Sequence, residues 1–557
     1  MQRISASCLI VCVLVGTTAA TVHADEPLRL KQQRDNAPAD LLSTAEFEAM
    51  NDPFFNIVLK SRADITSLKD VETLLQPIQT QRRLFVVDEN IANPSIGQSR
   101  RAVIAFKGTN AQTNDVLDSN VMLSVFFTSD SFPDAPSSIE AWGWDNHRGR
   151  YNYYRMDRTG TPNLQLTWKF RGTSVNADRL SVFERQGTCM RCHVNGAPVM
   201  KELAFPWNNW RSFKFTASYM DQQWPVRSHP RMRTLRGAEE LETEFILTAI
   251  TQFNTRRLNQ SLLRRDEDGN VMIDANGRAT VIEGKRLLRH LFETTEVNLI
   301  SSGALSGLHP FAPGEPGIPP EEIIVPGTFF LNANLMAGGG TTGYLGIGVP
   351  IARDFTSVAK IRPAEYKRLV QDSNLTLGGQ RGDANFAWFV PEPSHLDNSM
   401  VDRLLRRGVV TKEFVAAVLA IDLERPVFSA ARASLLRFVP GEFTFVPTSS
   451  TTSGQSSTHP DALTAEVLRQ ILAISPTSGT VEHDFATLLQ DANPVARLQE
   501  RVTQYLERTR TRLQDSSSRA TELSRLFNVA IETRRRMKSH EILGALDETG
   551  DRLLPLN

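Results

Sequence analysis

The chain has 557 residues, which is too long for one ordinary hydrophobic core, so its length predicts two or three domains. Hydrophobic residues make up 41% and charged residues 22% of the sequence, a composition typical of a globular protein. Lysine plus arginine and aspartate plus glutamate balance at 62 each, so charge gives no indication of a nucleic-acid partner or of an anionic membrane surface.

The first 24 residues have the layout of a secretory signal peptide. A positively charged start is followed by an apolar run at residues 8–15, and Val22-His23-Ala24 provides a cleavage pattern of small residues. The apolar run is shorter than the roughly 20 residues that a membrane-spanning helix needs, and no later segment is long and apolar enough. We therefore expect residues 1–24 to be removed, and the mature chain to be periplasmic or otherwise extracytoplasmic with no membrane span.

Residues 25–180 are expected to form a strand-rich domain. Short apolar or alternating runs are separated by clusters of Asp, Asn, Gly and Pro, a spacing typical of an antiparallel sandwich or barrel. The predicted strands are residues 84–87, 102–106, 121–127, 139–144, 151–156 and 164–170. Six of the seven tryptophans lie between residues 142 and 224. Such a group suits a large flat apolar cofactor, although for any single tryptophan an ordinary core position is the better interpretation.

The sequence Gly-Thr-Cys-Met-Arg-Cys-His at residues 187–193 contains the attachment pattern of a c-type haem. Two thiols separated by two residues reach two vinyl groups on the same side of a porphyrin, and the adjacent imidazole then coordinates the iron. We therefore expect Cys189 and Cys192 to bind one haem c covalently and His193 to be an axial iron ligand.

Three other interpretations of the two cysteines were weighed. A thiol–disulfide site usually lies in a thioredoxin-like βαβ unit, and no such repeat is visible around residue 189. A structural zinc site needs two more ligands, but Cys8 and Cys12 leave with the signal peptide, so the mature chain has no further cysteine. The third interpretation is chance, which the export signal disfavours.

Through residues 189–193 the chain resembles the c-type cytochromes. The resemblance covers the motif and its immediate surroundings, and it implies haem attachment outside the cytoplasm and electron transfer. Small members of that group place a proline farther from the histidine than Pro198, so the small all-helical cytochrome fold is not implied. The strand-rich region before the motif is similar to cytochrome P460-type haem enzymes, which cross-link a lysine to the haem. Lys107 and Lys169 are the available lysines.

Met232 and His229 are the candidates for the sixth iron ligand, in that order, followed by an empty site. Methionine and histidine are the usual protein donors, and both residues lie far enough beyond His193 for the chain to reach the opposite face of a haem. Met200 is less suitable, because residues 195–198 favour a turn that would prevent the nearly straight path it needs. For each candidate, a surface or core position is the competing interpretation.

Residues 181–446 are expected to form a haem-bearing mixed domain. Helices are predicted at residues 239–262 and 397–423, with a hairpin between residues 266 and 278. The acidic residues of that hairpin faintly resemble a calcium loop, but the closing glutamate is missing. The glycine-rich residues 338–343 lack the Lys-Ser/Thr of a phosphate loop and are interpreted as a tight loop.

The C-terminal part of the chain is predicted to be helical. Residues 447–460 form a Ser/Thr-rich linker, and residues 461–557 form a helical segment with helices at about 495–513 and 518–540. The predicted fold class is therefore α+β, with an antiparallel strand-rich N-terminal region, a mixed haem-bearing centre and a helical C-terminal segment.

One haem is compatible with three functions. The first is electron transfer to and from a redox partner protein. The second is a haem-dependent oxidoreductase, peroxidase-like or P460-like, with an open distal site. The third is a haem-based sensor or binding module. A dedicated electron carrier needs only one small domain, and the surplus length leaves room for a partner surface or a substrate pocket. The sequence identifies neither a substrate nor whether the chain is an enzyme.

Overall fold

A computed structural model provides the structure of this chain. The described ranges are 49–60, 67–88, 100–126, 138–159, 165–175, 188–198, 235–258, 262–293, 297–301, 389–425, 429–448 and 462–525, with gaps at 192, 194–195, 237, 268–269, 394 and 523, and with isolated residues and pairs elsewhere. Residues 1–24, residues 449–461, Cys192, His229 and Met232 lie outside the described residues.

Six long antiparallel strands form the centre of the N-terminal half. Strands that follow one another in the chain are also neighbours in the sheet, so the topology is a meander. Each of the six predicted strands is confirmed. Their bounds are β1 Gln79–Asp88, β2 Arg100–Gly108, β3 Val121–Phe126, β4 Ser138–Asp145, β5 Arg150–Thr159 and β6 Gln165–Thr173. Three strands of two residues extend the sheet at its edges to nine strands: Lys31–Gln32, Asp40–Leu41 and Leu235–Arg236.

Helical segments cover both faces of this sheet. Along β2, Ala102, Ile104 and Phe106 belong to one buried cluster, and Val103 and Ala105 belong to the cluster on the other face. A strand that is covered on both sides is apolar throughout, because successive side chains point to opposite faces. The described strands of the N-terminal half therefore form one open sheet between helical layers, instead of the sandwich or barrel that the sequence favoured.

The two helical layers come from different parts of the chain. The first layer precedes the sheet, and the second follows the Cys189–His193 segment. The first contains the π-helical Phe55–Leu59 and α1, Leu68–Leu75. The second contains the short helices Ala238–Leu241 and Glu242–Ile246 and α2, Leu247–Arg257, which confirm the helix predicted from residue 239.

The C-terminal half is a helical assembly with its own core. Its main helices are α3 Gly284–Phe292, α4 His395–Arg407, α5 Lys412–Leu419, α6 Ala462–Ala473, α7 Val481–Gln490 and α8 Pro494–Gln514. Shorter elements are Ala430–Ser434, Leu435–Phe438, Ala279–Val281 paired with Phe443–Phe445, Val297–Ser301 paired with Phe389–Pro393, and the two-residue pairs Ile323–Ile324 with Lys360–Ile361 and Thr376–Leu377 with Gln380–Arg381.

One hydrophobic core joins the segments before and after the Ser/Thr-rich linker. Phe292, Phe414 and Phe485 meet in this core, with ring centroids 6.1 to 6.3 Å apart. The linker expected at residues 447–460 therefore does not separate two cores. The expected haem-bearing centre, residues 181–446, is instead divided: Met190, Ala197 and α2 pack on the sheet, whereas α3 and α5 pack in the helical core.

The sequence predicted one helix over residues 397–423, but the structure contains two. Gly408 adopts a left-handed φ of 74°, which ends α4. Thr411 then starts α5, because its side chain accepts a hydrogen bond from the Phe414 amide at 3.1 Å. The predicted hairpin is present, and Asp266 accepts the Asn270 amide at 2.7 Å within its turn.

A buried carboxylate fastens the first helical layer to the sheet. Asp52 is fully buried and accepts the Phe55 amide at 2.9 Å, the Asn152 side-chain amide at 2.8 Å and the Tyr154 hydroxyl. Gly143 on β4 leaves the space for this carboxylate, since a Cβ at that position would overlap Asp52. Three donors around one carboxylate fix the start of the chain's first described helix against β4 and β5.

The titration of Asp52 is expected to make stability pH-dependent. Burial raises its pKa from 3.8 to about 6, because the charged form is poorly solvated inside the protein. The folded-state pKa lies above the unfolded value, so this contribution is fully present below about pH 4 and is lost as pH rises through about 6. The loss amounts to roughly 3 kcal/mol.

The measurement is urea unfolding of the wild type and of Asp52→Asn at several pH values. Stability of the wild type relative to the variant should fall between pH 4 and pH 7. The variant is expected to fold, because Asn152 Oδ1 has no partner in the described residues and rotation of the Asn152 amide offers that oxygen to Asn at position 52. A constant stability difference across this pH range would contradict the prediction.

Candidate functional site

The Cys189–His193 segment lies on the sheet face that also carries α2. Cys189–Arg191 forms one 3-10 turn, and the His193 amide donates to the Cys189 carbonyl at 2.9 Å. Met190, between the two cysteines, is only 1% exposed and packs in the same cluster as Trp142. Met190 is therefore an apolar anchor that holds the Cys189–Arg191 turn against the sheet.

A tight turn follows the motif and requires glycine. The Gly196 amide donates to the His193 carbonyl at 2.8 Å, and Gly196 has a left-handed φ of 79°. A Cβ at Gly196 would lie 2.6 Å from the Ser174 carbonyl oxygen, so a side chain would not fit. This turn presents the Gly196 and Ala197 carbonyls toward the sheet.

His193 is held in one tautomer. Its imidazole is buried, and Nδ1 lies 2.9 Å from the Ala197 carbonyl oxygen. A carbonyl oxygen only accepts, so Nδ1 carries the hydrogen and the lone pair of the neutral ring is on Nε2. A metal-ligating histidine commonly has this arrangement, in which the hydrogen bond of one nitrogen orients the other toward the metal.

Two aromatic side chains of the sheet enclose the His193 ring. The Tyr153 ring lies 4.8 Å from it between centroids at 35°, and the Trp142 ring lies 5.9 Å from it at 76°. The Tyr153 hydroxyl has one hydrogen to donate, and it lies 2.8 Å from the Gly196 carbonyl oxygen and 3.1 Å from the Ala197 carbonyl oxygen. The two aromatic rings and the hydrogen bond at Nδ1 therefore fix the orientation of the imidazole.

Cys189 and His193 line the same cleft, which lies between the sheet and the helices that follow the motif. Its cavity volume is about 50 Å³, and it is partly open to solvent. The lining is mainly apolar and aromatic. Its residues are Val103, Met122, Leu123, Ser124, Glu140, Ala141, Trp142, Tyr153, Cys189, His193, Pro198, Leu241 and Ile246.

Two buried polar atoms in this cleft wall have no partner in the part of the chain that the structure describes. They are the Trp142 Nε1–H group and the Ser124 hydroxyl. Trp144 Nε1 and Trp168 Nε1 also lack partners among the described residues, so the Trp142 and Ser124 atoms do not by themselves identify a ligand. A volume of about 50 Å³ holds only a few water molecules, so the described part of the cleft does not by itself accommodate a haem.

The structure brings together two of the site residues that the sequence predicted. Cys189 and His193 share one cleft wall, whereas Cys192, Met232 and His229 lie outside the described residues, so the sixth iron ligand stays a prediction. Of the described residues lining the cleft, none is a lysine. The Lys107 ammonium instead lies 5.5 Å from the centre of the Phe245 ring.

Sequence reasoning missed the parts of the site that act through the backbone or across strands. In the sequence, Trp142 stands out only as one of the six tryptophans between residues 142 and 224. The spacing of Trp142 and Trp144, and of Tyr151 and Tyr153, at every second residue is the signal that places each pair on one sheet face. Ala197 contributes only a carbonyl oxygen, which no side-chain pattern reveals.

A second buried polar cluster connects three helices away from the cleft. Arg257 Nη1 donates to His290 Nε2 at 2.8 Å, and His290 Nδ1 donates to Asp397 Oδ1 at 2.6 Å. Burial lowers the pKa of His290 despite the adjacent Asp397. Since both ring nitrogens are already hydrogen-bonded, this cluster links α2, α3 and α4 and offers no ligand atom.

Comparison with known proteins yields no match to this chain among protein-family models, curated proteins or solved structures. Among the helices that the structure describes, none has the length and apolar character needed to cross a membrane. The same described residues contain no group of three or more His, Cys, Asp or Glu side chains placed to hold a metal ion. The site is therefore interpreted from its own geometry.

Proposed function

We propose that the chain is an exported monohaem c-type cytochrome that transfers electrons. Cys189 and Cys192 hold one haem c covalently, and His193 is the axial ligand. The observation that carries the proposal is the orientation of His193. Its Nδ1–H group donates to the Ala197 carbonyl, which puts the lone pair of the neutral ring on Nε2, and Cys189 lies in the same cleft wall.

The surroundings of His193 suit electron transfer. A bound haem supplies one-electron chemistry at iron. His193 is held by one hydrogen bond and two aromatic rings, so its imidazole has little freedom to move when the charge of the iron changes. Met232, or else His229, supplies the sixth ligand, and a redox partner protein receives or delivers the electron.

An extracytoplasmic location is consistent with the haem-attachment chemistry that the motif implies. In the c-type cytochromes that the motif resembles, haem is attached outside the cytoplasm, and residues 1–24 have the layout of an export signal. The proposed location is therefore the periplasm or another extracytoplasmic space. The signal and the motif are separate features of the sequence, and they support the same location.

A haem-dependent oxidoreductase is the second candidate. It is favoured by the cleft that Cys189 and His193 line, because this cleft is partly open to solvent. Such an opening can admit a small substrate to an iron whose sixth position is open. This candidate differs from the electron carrier in the coordination of the iron, which spectroscopy measures.

Spectroscopy of the purified protein is expected to show one low-spin haem. If Met232 is the sixth ligand, the oxidised protein has a weak near-infrared sulfur-to-iron band. Met232→Ala abolishes this band, whereas Met272→Ala, which removes a half-exposed side chain in the hairpin, leaves it unchanged. Histidine ligation would show no such band and a lower potential. A high-spin ferric spectrum that changes on adding cyanide would favour the oxidoreductase, and the absence of haem would overturn both candidates.

A further inference from the structure

Arg257, His290 and Asp397 form a buried series of hydrogen bonds between the sheet and the helical core. Arg257 is the last residue of α2, which packs on the sheet, and His290 lies in α3, which packs in the helical core. Asp397 lies in the first turn of α4. The His290 and Asp397 side chains are 1% and 2% exposed, and Arg257 is 8% exposed. These three residues therefore connect the two halves of the structure away from solvent.

The geometry of this series requires a neutral His290 ring. A guanidinium only donates, so Arg257 Nη1 donates to His290 Nε2 at 2.8 Å and Nε2 carries the lone pair. Nδ1 therefore carries the hydrogen, which it donates to Asp397 Oδ1 at 2.6 Å. A proton added to Nε2 would turn this atom from an acceptor into a donor that faces another donor. The bond between Arg257 and His290 therefore cannot survive protonation of the ring, whereas the bond between His290 and Asp397 can.

Charged groups on three helices act on the His290 ring. Burial lowers its pKa from the ordinary 6.5, the hydrogen bond to Asp397 of α4 partly offsets burial, and Arg257 of α2 and Arg289 of α3 lower the pKa further. Asp397 carries one negative charge, so it cannot neutralise both Arg257 and a protonated His290. The other charged residues on the described elements that pack against α3 are Asp402, Arg403, Arg406 and Arg407 of α4, Lys412 and Glu413 of α5, and Arg432 and Arg437 of the short helices that follow.

Other contacts between the sheet and the helical core do not depend on this ring. The helix α4 reaches both cores, because Leu396 packs with the sheet cluster and Leu404 packs in the helical core. Asn254 of α2 donates its side-chain amide to the Leu396 carbonyl at 2.9 Å. Loss of the bond between Arg257 and His290 should therefore loosen α2 from α3, while α4 stays attached to both cores.

We propose that Arg257, His290 and Asp397 form an acid-sensitive junction, which holds α2 against α3 at neutral pH and releases it when His290 is protonated. The junction separates the sheet from the helical core locally, without unfolding either. It involves none of the residues of the Cys189–His193 segment, so it is independent of the proposed haem.

The direction of the pH dependence follows from the two states of the ring. The closed junction holds His290 neutral, whereas in the open junction the imidazole has its ordinary pKa of 6.5. The stability of the junction is therefore fully present above about pH 6.5 and is lost as pH falls, because the open state takes up the proton first. The equilibrium constant for opening should rise about tenfold for each pH unit below about 6.5, until the closed state is protonated as well.

Hydrogen–deuterium exchange of the full chain measures the opening helix by helix. After correction for the intrinsic pH dependence of exchange, the last turn of α2 and the facing part of α3 should exchange up to about 30-fold faster at pH 5 than at pH 7.5. The helices α1 and α8, which contribute no side chain to the junction, should not exchange faster.

His290→Gln removes the titration and keeps the bonds. The glutamine amide can donate to Asp397 and accept from Arg257, so α2 and α3 should be equally protected at both pH values. His483→Gln is the matched control, because it makes the same substitution at a half-buried position in α7, away from the junction. This control should keep the pH dependence of the wild type.

Arg257→Gln keeps the test informative if His290→Gln does not fold. Its amide oxygen can accept from a protonated Nε2, so the closed junction tolerates the proton and the rise in exchange below about pH 6.5 should be lost. Wild-type exchange that does not change with pH would overturn the proposal, and so would an undiminished rise in either glutamine variant. Equally faster exchange of α1 and α8 at pH 5 would show general unfolding instead of a local release, and would also overturn it.

Discussion

Replacing Cys189 and Cys192 together with alanine is expected to abolish the haem that stays on the chain through acid–acetone extraction and denaturing electrophoresis. Thioether bonds survive both treatments, whereas coordination by His193 alone does not, because unfolding and acid release the imidazole from iron. Each single replacement should lower the haem yield, since one thioether remains. Haem staining and the mass of the denatured chain measure the result.

The first two cysteines of the sequence offer a matched control. Cys8 and Cys12 lie in the predicted signal peptide, so replacing them also removes two thiols from the chain. Replacing both with alanine keeps the apolar run at residues 8–15 of the signal peptide, so export and haem attachment should be unchanged. Full haem retention in the Cys189 and Cys192 double variant would exclude covalent attachment at the motif. Loss of haem in the control would show that haem retention does not depend specifically on the motif cysteines.

The Cys189–His193 motif illustrates which features of a site can be predicted from sequence. The spacing of Cys189, Cys192 and His193 is local, so the sequence alone is enough to predict haem attachment there. The orientation of His193 depends on the Ala197 carbonyl and on Tyr153, which lies 40 residues earlier on a strand. A backbone acceptor and a cross-fold ring contact have no linear pattern, and they become visible only in the structure.

The strands were predictable and their arrangement was not. Apolar runs such as residues 102–106 identify strands, because the intervening turns are rich in Asp, Asn, Gly and Pro. The same runs do not reveal what covers the two faces. Here the helices Phe55–Leu59 and Leu68–Leu75 cover one face, and the helices between residues 238 and 257 cover the other. A single residue likewise divided the expected helix over 397–423, since Gly408 took a left-handed conformation.

The position of the linker shows a further limit of composition. Residues 447–460 are rich in Ser and Thr, which predicted a boundary between domains. The described helices on both sides nevertheless share one core, in which Phe414 and Phe485 meet at 6.3 Å. Linker composition indicates irregular local structure, whereas a domain boundary depends on whether contacts cross it.

Gly143→Ala is expected to destabilise the folded chain by about 3 kcal/mol. The new methyl group would overlap the Asp52 carboxylate, which is fully buried and bonded to Phe55, Asn152 and Tyr154. Either β4 shifts or the carboxylate leaves its three donors. Overpacking costs about 1–3 kcal/mol, and each buried donor left without a partner adds a similar amount. Urea unfolding followed by tryptophan fluorescence measures the loss.

Gly441→Ala is the matched control for this substitution. A Cβ at Gly441 meets nothing within 4 Å, and the backbone there does not require glycine, so the change in stability should stay within about 0.5 kcal/mol. A double-mutant cycle then identifies the cause. If the methyl group acts through the carboxylate, Gly143→Ala should cost less in an Asp52→Ala background, where that space is vacant. Equal costs in both backgrounds would show that the glycine is needed for a reason other than room for Asp52.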